Sequence, residues 1–396
     1  MRVLFNSTPL YSHLTPTLPL AQGLQAAGHE VVFATGPESI AQVRAAGVSA
    51  LTAGHTYAEA LQRYNSVFPP ESLADLSAGQ RWEHIVEHGS IALVSAATAV
   101  DLVPFAQQWR PDLVIGNITA VAGMVAAALT GARHVMHAFG PPKTAEIANS
   151  RRRGLTRLYE RWGVDPSRAW TDFEDPYLEI WPSALAAAPG QAGERRPLYP
   201  DSWPMRPESA LPLPVVPPRP ALLEGLPYDK TAYVTLGTTY NRAPGVFEGL
   251  FEALRDERVN VVATIGVDAD PAAFGELPQH VRVAGFVPQS QILPHCDLVV
   301  CQAGAGTVLG ALAHGLPLVM LPVASDHHDI ARHVEAGGAG LVCAPGQEST
   351  DAVREALHRV GAEPAFRAAA AEVREQMFEM PDTAQVVARL EKLAAH

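Results

Sequence analysis

The sequence predicts an α/β protein with two domains, each built on a parallel sheet that helices cover on both faces. Short apolar runs of strand length alternate with longer segments of helical period, which is typical of doubly wound sheets. At 396 residues the chain is long for one hydrophobic core. A proline-rich stretch near the middle separates two runs of this pattern, so we expect two domains with a cleft between them.

The first run begins at the amino terminus. Residues 3–5 are a predicted strand, the apolar positions between 18 and 27 share one helix face, and Gly28 ends that helix. Residues 31–34 begin the next strand, so the segment predicts a parallel strand–helix–strand crossover. Farther on, residues 113–115 predict another strand, followed by a helix of small residues near 121–129.

The second run starts after a proline-rich connector. Residues 204–227 are rich in proline, which favours an extended linker over a helix or a central strand. We therefore place an N-terminal domain at 1–203 and a C-terminal domain at 228–380. Apolar positions at helical spacing predict a last helix within 381–396, expected to pack back toward the N-terminal domain.

The composition excludes several classes of function. The formal net charge is −12 at pH 7, which argues against a general affinity for nucleic acid or an anionic membrane surface. Three cysteines without paired zinc spacing predict reduced, buried thiols. Because we find neither a signal peptide nor an apolar segment of membrane-spanning length, we expect a cytoplasmic protein.

The strongest motif is the segment 301–315, which reads CQAGAGTVLGALAHG. It follows an apolar strand and opens a helical pattern, so Gly304 and Gly306 let the backbone approach a ligand closely. The N–H groups of the next helix suit a diphosphate, and Thr307 adds a hydroxyl. A plain tight turn between strand and helix explains the glycines alone equally well.

Neighbouring segments decide between these two interpretations. Residues 12–16, 235–238, 285–293 and 315–340 complete a set of motifs in fixed order. Over nearly its whole length the chain resembles GT-B glycosyltransferases of the bacterial natural-product type, in the superfamily of the UDP-glycosyltransferases. The resemblance implies two Rossmann-like domains facing across a cleft. It also implies an inverting enzyme that moves a hexose or deoxyhexose from a UDP- or dTDP-sugar to a hydroxyl of a small lipophilic acceptor, without a metal or another cofactor.

The resemblance assigns the donor to residues of the C-terminal domain, namely Gly237, Thr238, Phe286, Val287, Gln302, Gly304, Gly306, Thr307, Asp326 and His327. Phe286 and Val287 would form the base pocket, Thr238 would contact phosphate, and Asp326 and His327 would bind sugar hydroxyls. Gln302 departs from the family, which commonly has histidine there. An amide donates a hydrogen bond without charge, so phosphate stabilisation should be weaker.

His13 is the candidate general base. It lies between the first strand and the first helix, where the carboxyl ends of parallel strands face the cleft. An imidazole, whose usual pKa is about 6.5, is matched to remove a proton from an acceptor hydroxyl. Asn117 stands where the family often has the acidic partner of this histidine, and an amide can fix its tautomer but cannot stabilise imidazolium as a carboxylate does.

The acceptor is expected in the first half, where aromatic and apolar residues suit a flat or greasy molecule. Trp82, His137 and Phe139 are the candidate contacts, although ordinary core packing accounts for any one of them. Two other functions remain open, a nucleotide-sugar 2-epimerase and a non-catalytic partner that keeps the fold. The sequence does not decide whether the donor carries UDP or dTDP, which sugar and acceptor are used, or which linkage forms. It also leaves the oligomeric state open, and a homodimer is one possibility.

Overall fold

The computed structural model describes residues 1–171, 175–185, 199–237, 246–267, 269–323, 326–343 and 350–395. The chain divides into two compact units. Unit 1 comprises Met1–Trp181, Arg195–Ser209 and Met380–His396, and unit 2 comprises Pro182–Glu194 and Ala210–Glu379. Thus the carboxyl-terminal segment belongs to unit 1.

Unit 1 is built on a seven-stranded sheet in the order β3-β2-β1-β4-β5-β6-β7, and every neighbouring pair is parallel. Its strands are β1 Arg2–Asn6, β2 Glu30–Thr35, β3 Ser49–Thr52, β4 Leu113–Asn117, β5 Arg133–His137, β6 Tyr177–Glu179 and β7 Ser202–Pro204. The central strands are apolar and buried, as expected for a sheet covered on both faces.

Helices flank this sheet. They are α1 Tyr11–Leu14, α2 Leu18–Ala26, α3 Ile40–Ala45, α4 Tyr57–Val67, α5 Ala78–His84, α6 Ala96–Trp109, α7 Ala122–Thr130, α8 Ala145–Trp162 and α9 Arg168–Thr171, with a π-helical stretch Ile85–Ser95 between α5 and α6. Short 3-10 turns are Thr15–Thr17, Pro37–Ser39, Pro70–Leu73 and Glu208–Ala210. The last helix of the chain, Thr383–Ala394, packs on α2 of this unit, where Gly23 leaves no room for a larger residue beside Thr383.

Unit 2 is built on a six-stranded parallel sheet in the order β10-β9-β8-β11-β12-β13. Its strands are β8 Thr231–Thr235, β9 Asn260–Thr264, β10 Val281–Ala284, β11 Leu298–Cys301, β12 Leu318–Met320 and β13 Gly340–Val342. Its helices are α10 Val246–Leu254, α11 Gln289–Ile292, α12 Ala305–Ala313, α13 His327–Ala336, α14 Thr350–Ala362 and α15 Pro364–Glu379, after which Thr383–Ala394 of unit 1 is α16. Short 3-10 turns are Ser183–Leu185, Ala221–Leu223, Pro271–Phe274 and Leu293–His295.

The strand registers bring chemically active loops together at one edge of each sheet. In unit 1, Asn6 of β1 pairs with Gly116 of β4, and Asn117 pairs with His137 of β5. In unit 2, Cys301 of β11 lies between Thr235 of β8 and Met320 of β12. Side chains just beyond these positions therefore cluster, as is usual at the carboxyl ends of parallel strands.

The predicted α/β class with two parallel sheets is confirmed, and Gly28 does follow the first long helix with a φ of 86°. His13 lies on the short helix α1 and not in an open loop. The expectation that no segment has membrane-spanning length and composition was wrong. Among the described residues, the helical run Gly79–Trp109 contains an 18-residue window of mean hydropathy 1.6. Ser, Thr and His residues interrupt its apolar residues, so the sequence shows no continuous apolar run although the mean hydropathy is high. Core helices of soluble proteins meet the same criterion.

Candidate active site

The loop after β11 has the geometry of an anion-binding turn. Ala303 has a φ of 67°, a left-handed conformation that costs a residue with a side chain about 1–3 kcal/mol. Gly304 is the N-cap of the nine-residue helix α12, and no side chain among the described residues caps the first turn of that helix. The N–H groups at the start of α12 are consequently available to a ligand with negative charge.

Gln302 fills the space at the start of this helix. A Cβ added to Gly237 would lie well inside contact distance of Gln302 Nε2, and one added to Gly304 would lie 2.7 Å from the same atom. The side chain is only 5% exposed, and its Oε1 has no hydrogen-bond partner among the described residues. Both glycines are thus needed for this amide to lie against the loops after β8 and β11.

Thr307 has a hydrogen-bond partner that the sequence did not predict. Gln289 Nε2 donates to Thr307 Oγ1 over 2.9 Å, which leaves the threonine proton to be donated elsewhere. Gln289 is the first residue of α11 and lies inside the segment 285–293 that carried the family resemblance. That position in the motif was the only available signal, because sequence spacing does not show which two side chains meet.

The remaining donor candidates are placed with differing exposure. Phe286 is 49% exposed and Val287 is half-buried, at the loop after β10. Asp326 precedes α13 and is half-buried, whereas His327, the first residue of α13, is 5% exposed. Thr238 lies outside the described residues. All of these assignments stay predictions.

His13 lies among hydroxyl groups in unit 1. Its Nδ1 lies 2.6 Å from Thr8 Oγ1 and 3.0 Å from Thr119 Oγ1. The ring stacks on Phe139 with centroids 4.0 Å apart and planes 17° from parallel. On Phe139, the ammonium of Lys143 lies 5.1 Å from the ring centroid. The imidazole is therefore held both by its ring nitrogen and by its face.

Asn117 is connected to His13 through Thr119. Asn117 Oδ1 accepts from the backbone N–H of Thr119 over 3.0 Å and from its hydroxyl over 2.9 Å. Asn117 Nδ2 donates to Ser7 Oγ over 2.7 Å. Asn117 was predicted to lie beside the base, but Thr119, which the sequence did not single out, lies between Asn117 and His13.

The three acceptor candidates differ in accessibility. Trp82 of α5 is half-buried and Phe139 is nearly buried against His13. His137 is fully buried at the end of β5, its Nδ1 donates to the carbonyl of Ala138, and burial lowers its pKa to about 4. The ring of His137 thus has no surface within its unit that an acceptor could touch.

A second group of aromatic side chains lies between α4, α5 and the π-helical stretch. His84 Nδ1 is 2.8 Å from the Tyr64 hydroxyl, and Phe68 lies edge-on to His84 at 4.5 Å. His88 lies 4.4 Å from His84, and its pKa is lowered by burial and by that neighbour. These residues lie in the first half of the chain, where the sequence predicted an apolar acceptor surface.

Among the side chains that the structure describes, no group of three or more His, Cys, Asp and Glu could hold a metal ion. The three cysteines are free thiols. Burial raises the pKa of Cys301 to about 12, and burial together with Asp297 raises that of Cys296 to about 12. The thiols of Cys296 and Cys301 are therefore protonated and unreactive near neutral pH.

Comparisons with known proteins identify the family. The erythromycin biosynthesis protein CIII-like N-terminal domain matches residues 22–184, and the corresponding C-terminal domain matches residues 249–393. The 10-deoxymethynolide desosaminyltransferase of Streptomyces venezuelae is 30% identical over 433 residues, covering 100% of this chain and 97% of the relative. Both halves of the chain are thus matched in one protein.

Two solved structures extend the comparison to the fold. The glycosyltransferase SnogD from Streptomyces nogalater has a TM-score of 0.74 at 30% identity, covering 100% of this chain and 99% of SnogD. Glycosyltransferase VinC, solved in complex with dTDP, has a TM-score of 0.75 at 27% identity and full coverage of both chains. These matches confirm the resemblance that the motifs indicated, and the chain belongs to the erythromycin biosynthesis protein CIII-like family of bacterial natural-product glycosyltransferases with the GT-B fold.

Proposed function

We propose that this glycosyltransferase moves a deoxyhexose from a dTDP-sugar to a hydroxyl of a small lipophilic natural product, with inversion at the anomeric carbon. The observation that carries the proposal is the turn formed by Gln302, Ala303 and Gly304 at the start of α12. It combines a strained backbone and an uncapped helix N-terminus with the buried amide of Gln302, whose Nε2 can donate to a phosphate oxygen. Such a turn is suited to a diphosphate.

The donor is bound by unit 2. The first N–H groups of α12 and the proton of Thr307, which Gln289 leaves for donation, would contact the diphosphate oxygens. Negative charge grows on the diphosphate as its bond to the sugar breaks, and fixed donors with a helix dipole stabilise that charge without rearranging. This arrangement needs no metal ion.

The choice of dTDP and of a deoxysugar draws on the relatives. VinC is known with dTDP bound, and the relative from Streptomyces venezuelae is named for the transfer of desosamine to 10-deoxymethynolide. The exposed ring of Phe286 next to Val287 offers an apolar surface for a pyrimidine base.

The acceptor is activated in unit 1 by His13. The acceptor oxygen forms a bond to the anomeric carbon, the bond from that carbon to the diphosphate oxygen breaks, and the hydroxyl proton passes to the imidazole. One base and one leaving group suffice for a single displacement, which inverts the configuration. Removing such a base typically costs 10²–10⁴-fold in rate.

The test measures transfer and donor binding separately. Purified protein is incubated with dTDP- and UDP-sugars and a mixed acceptor library, and mass spectrometry reads the mass added to each acceptor. His13→Ala should lower turnover by about 10²–10⁴-fold while leaving the calorimetric affinity for dTDP unchanged. The control is His358→Ala, which removes an exposed imidazole that contacts Glu257 in unit 2.

Unchanged turnover in His13→Ala would refute the base assignment. Conversion of a nucleotide sugar without any acceptor would instead indicate a 2-epimerase. Binding of dTDP without turnover across the whole library would indicate a non-catalytic partner protein. A clear preference for UDP-sugars would refute the donor assignment alone.

A further inference from the structure

The hydrogen bonds around Asn117 fix the orientation of its amide and the direction of the Thr119 hydroxyl proton. A backbone N–H can only donate, so the atom of Asn117 that faces the backbone N–H of Thr119 at 3.0 Å must be the amide oxygen. The amide nitrogen then points to Ser7 Oγ, 2.7 Å away. Ser7 accepts that bond because its own proton goes to the carbonyl of Thr8 over 3.0 Å. The amide orientation is thus set at both ends.

The same oxygen determines what the Thr119 hydroxyl does. Asn117 Oδ1 lies 2.9 Å from Thr119 Oγ1 and can only accept, so the single hydroxyl proton of Thr119 is used there. Thr119 Oγ1 therefore presents a lone pair to His13 Nδ1 at 3.0 Å. A favourable contact requires that Nδ1 carries a proton.

Thr8 is compatible with that assignment. Its Oγ1 lies 2.6 Å from His13 Nδ1 and 3.3 Å from Thr119 Oγ1. With Nδ1 protonated, its single proton is shared between Thr8 Oγ1 and Thr119 Oγ1, which both accept, and the Thr8 hydroxyl donates to Thr119. With Nδ1 unprotonated, the lone pairs of Nδ1 and Thr119 Oγ1 would face each other at 3.0 Å.

We infer that Thr119, with Thr8, is a positioning residue that holds neutral His13 as the Nδ1–H tautomer and so places the basic lone pair on Nε2. The inference rests on the proposed function, in which the imidazole of His13 receives the proton of the acceptor hydroxyl, and it adds that Nε2 is the receiving atom. An uncharged chain from Ser7 through Asn117 and Thr119 takes the orienting role that a carboxylate fills when it pairs directly with an imidazole. Stacking on Phe139 fixes the plane of the ring at the same time.

The tautomer is measured directly in the intact wild-type protein. Protein labelled with ¹⁵N-histidine is studied by long-range ¹H–¹⁵N correlation near pH 8, and the ring of His13 is assigned among 15 histidines by its loss in His13→Gln. The expected pattern has Nδ1 protonated and Nε2 unprotonated. A ring protonated at Nε2 and unprotonated at Nδ1 overturns the inference, whatever the enzyme's activity.

Three variants test whether the hydroxyl of Thr119 acts through His13. Thr119→Val keeps the shape of the side chain and removes the accepting oxygen. We expect turnover to fall about 10- to 100-fold, with little change in the KM for donor or acceptor. We also expect a larger fraction of His13 in the Nε2–H tautomer. Thr119→Ser restores the oxygen and should recover both. Ser95→Ala is the matched control, because Ser95 Oγ donates to the backbone carbonyl of Thr119 and not to its hydroxyl.

Equal loss of activity in Ser95→Ala and Thr119→Val, with no change in the tautomer, would overturn the inference in favour of local packing. Failure of the proposed function looks different. Full activity in His13→Ala would remove the base assignment, while the tautomer in the wild-type spectrum would still stand. An inactive His13→Ala together with an Nε2–H wild-type ring would leave the base assignment and overturn only the role of Thr119.

Discussion

Replacing Gly304 with alanine tests the donor site through one atom. Gly304 has a φ of −67°, so alanine fits the backbone without strain. Its Cβ, however, would lie 2.7 Å from Gln302 Nε2 and 3.5 Å from Cδ of the same side chain. Ordinary contact begins near 3.4 Å, so the amide must move by about 0.7 Å. Alanine is also a poorer helix cap, which should cost at most about 1 kcal/mol of stability.

The expected loss of affinity follows from the bond that the amide would make. A hydrogen bond from an uncharged donor to a charged oxygen is worth about 1.5–3 kcal/mol. Moving the Gln302 amide by about 0.7 Å removes most of this free energy, so the Kd for dTDP should rise about 10- to 150-fold. Isothermal titration calorimetry with dTDP measures the change, and thermal unfolding confirms that the variant is folded.

Gly249→Ala is the matched control in the same unit. Gly249 is an exposed residue within α10, and an added Cβ has nothing within 4 Å. The substitution should stabilise unit 2 by up to about 1 kcal/mol and leave the affinity for dTDP unchanged. If a folded Gly304→Ala protein bound dTDP as tightly as the wild type, the donor role of Gln302 would be refuted.

Two further predictions concern buried groups. Burial lowers the pKa of His137 from 6.5 to about 4, so below pH 6.5 the unfolded chain binds a proton more readily than the folded chain does. The contribution of the neutral ring to the free energy of unfolding is therefore fully present above pH 6.5 and is lost as the pH falls toward 4. Urea unfolding at pH 7 and pH 4.5 should therefore show an acid-induced loss that is up to about 3 kcal/mol smaller in His137→Gln; an identical pH dependence in both proteins would contradict it. The high pKa values of Cys296 and Cys301 predict slow reaction of the native protein with a disulfide reagent at pH 8. All three thiols should react at once in guanidinium, and rapid labelling of Cys301 in the folded protein would be the contrary result.

The elements that sequence reasoning found are those with a long or strongly apolar signal. Strands β1, β2 and β4 were each marked by an apolar run, and α16 by its helical spacing. Strands β6 and β7 have three residues each. A segment so short shows no periodicity, and its strand character comes only from pairing with its neighbours.

The glycine-marked turn was predictable because its chemistry is local. Residues 302–304 join β11 directly to α12, so one short segment of sequence contains the strand end, the turn and the helix start. The contact between Gln289 and Thr307 was not predictable in this way, since it joins residues 18 positions apart on different helices. Side-chain partners of this kind depend on how α11 packs beside α12.

The surroundings of His13 show why residue type alone misplaces a functional role. Asn117 ends β4, and an amide there was expected to orient the base itself. Strands β1 and β4 are parallel neighbours, with Asn6 opposite Gly116. Thr8 and Thr119 each lie two positions beyond the end of their strand, and their Oγ1 atoms are therefore only 3.3 Å apart.

These two hydroxyls occupy the contacts to Nδ1 of His13. Asn117 then acts one bond farther away, by taking the proton of Thr119. A carboxylate in place of this amide would accept the same proton and act on the imidazole through the threonine. We therefore expect Asn117→Asp to change the rate less than Thr119→Val does.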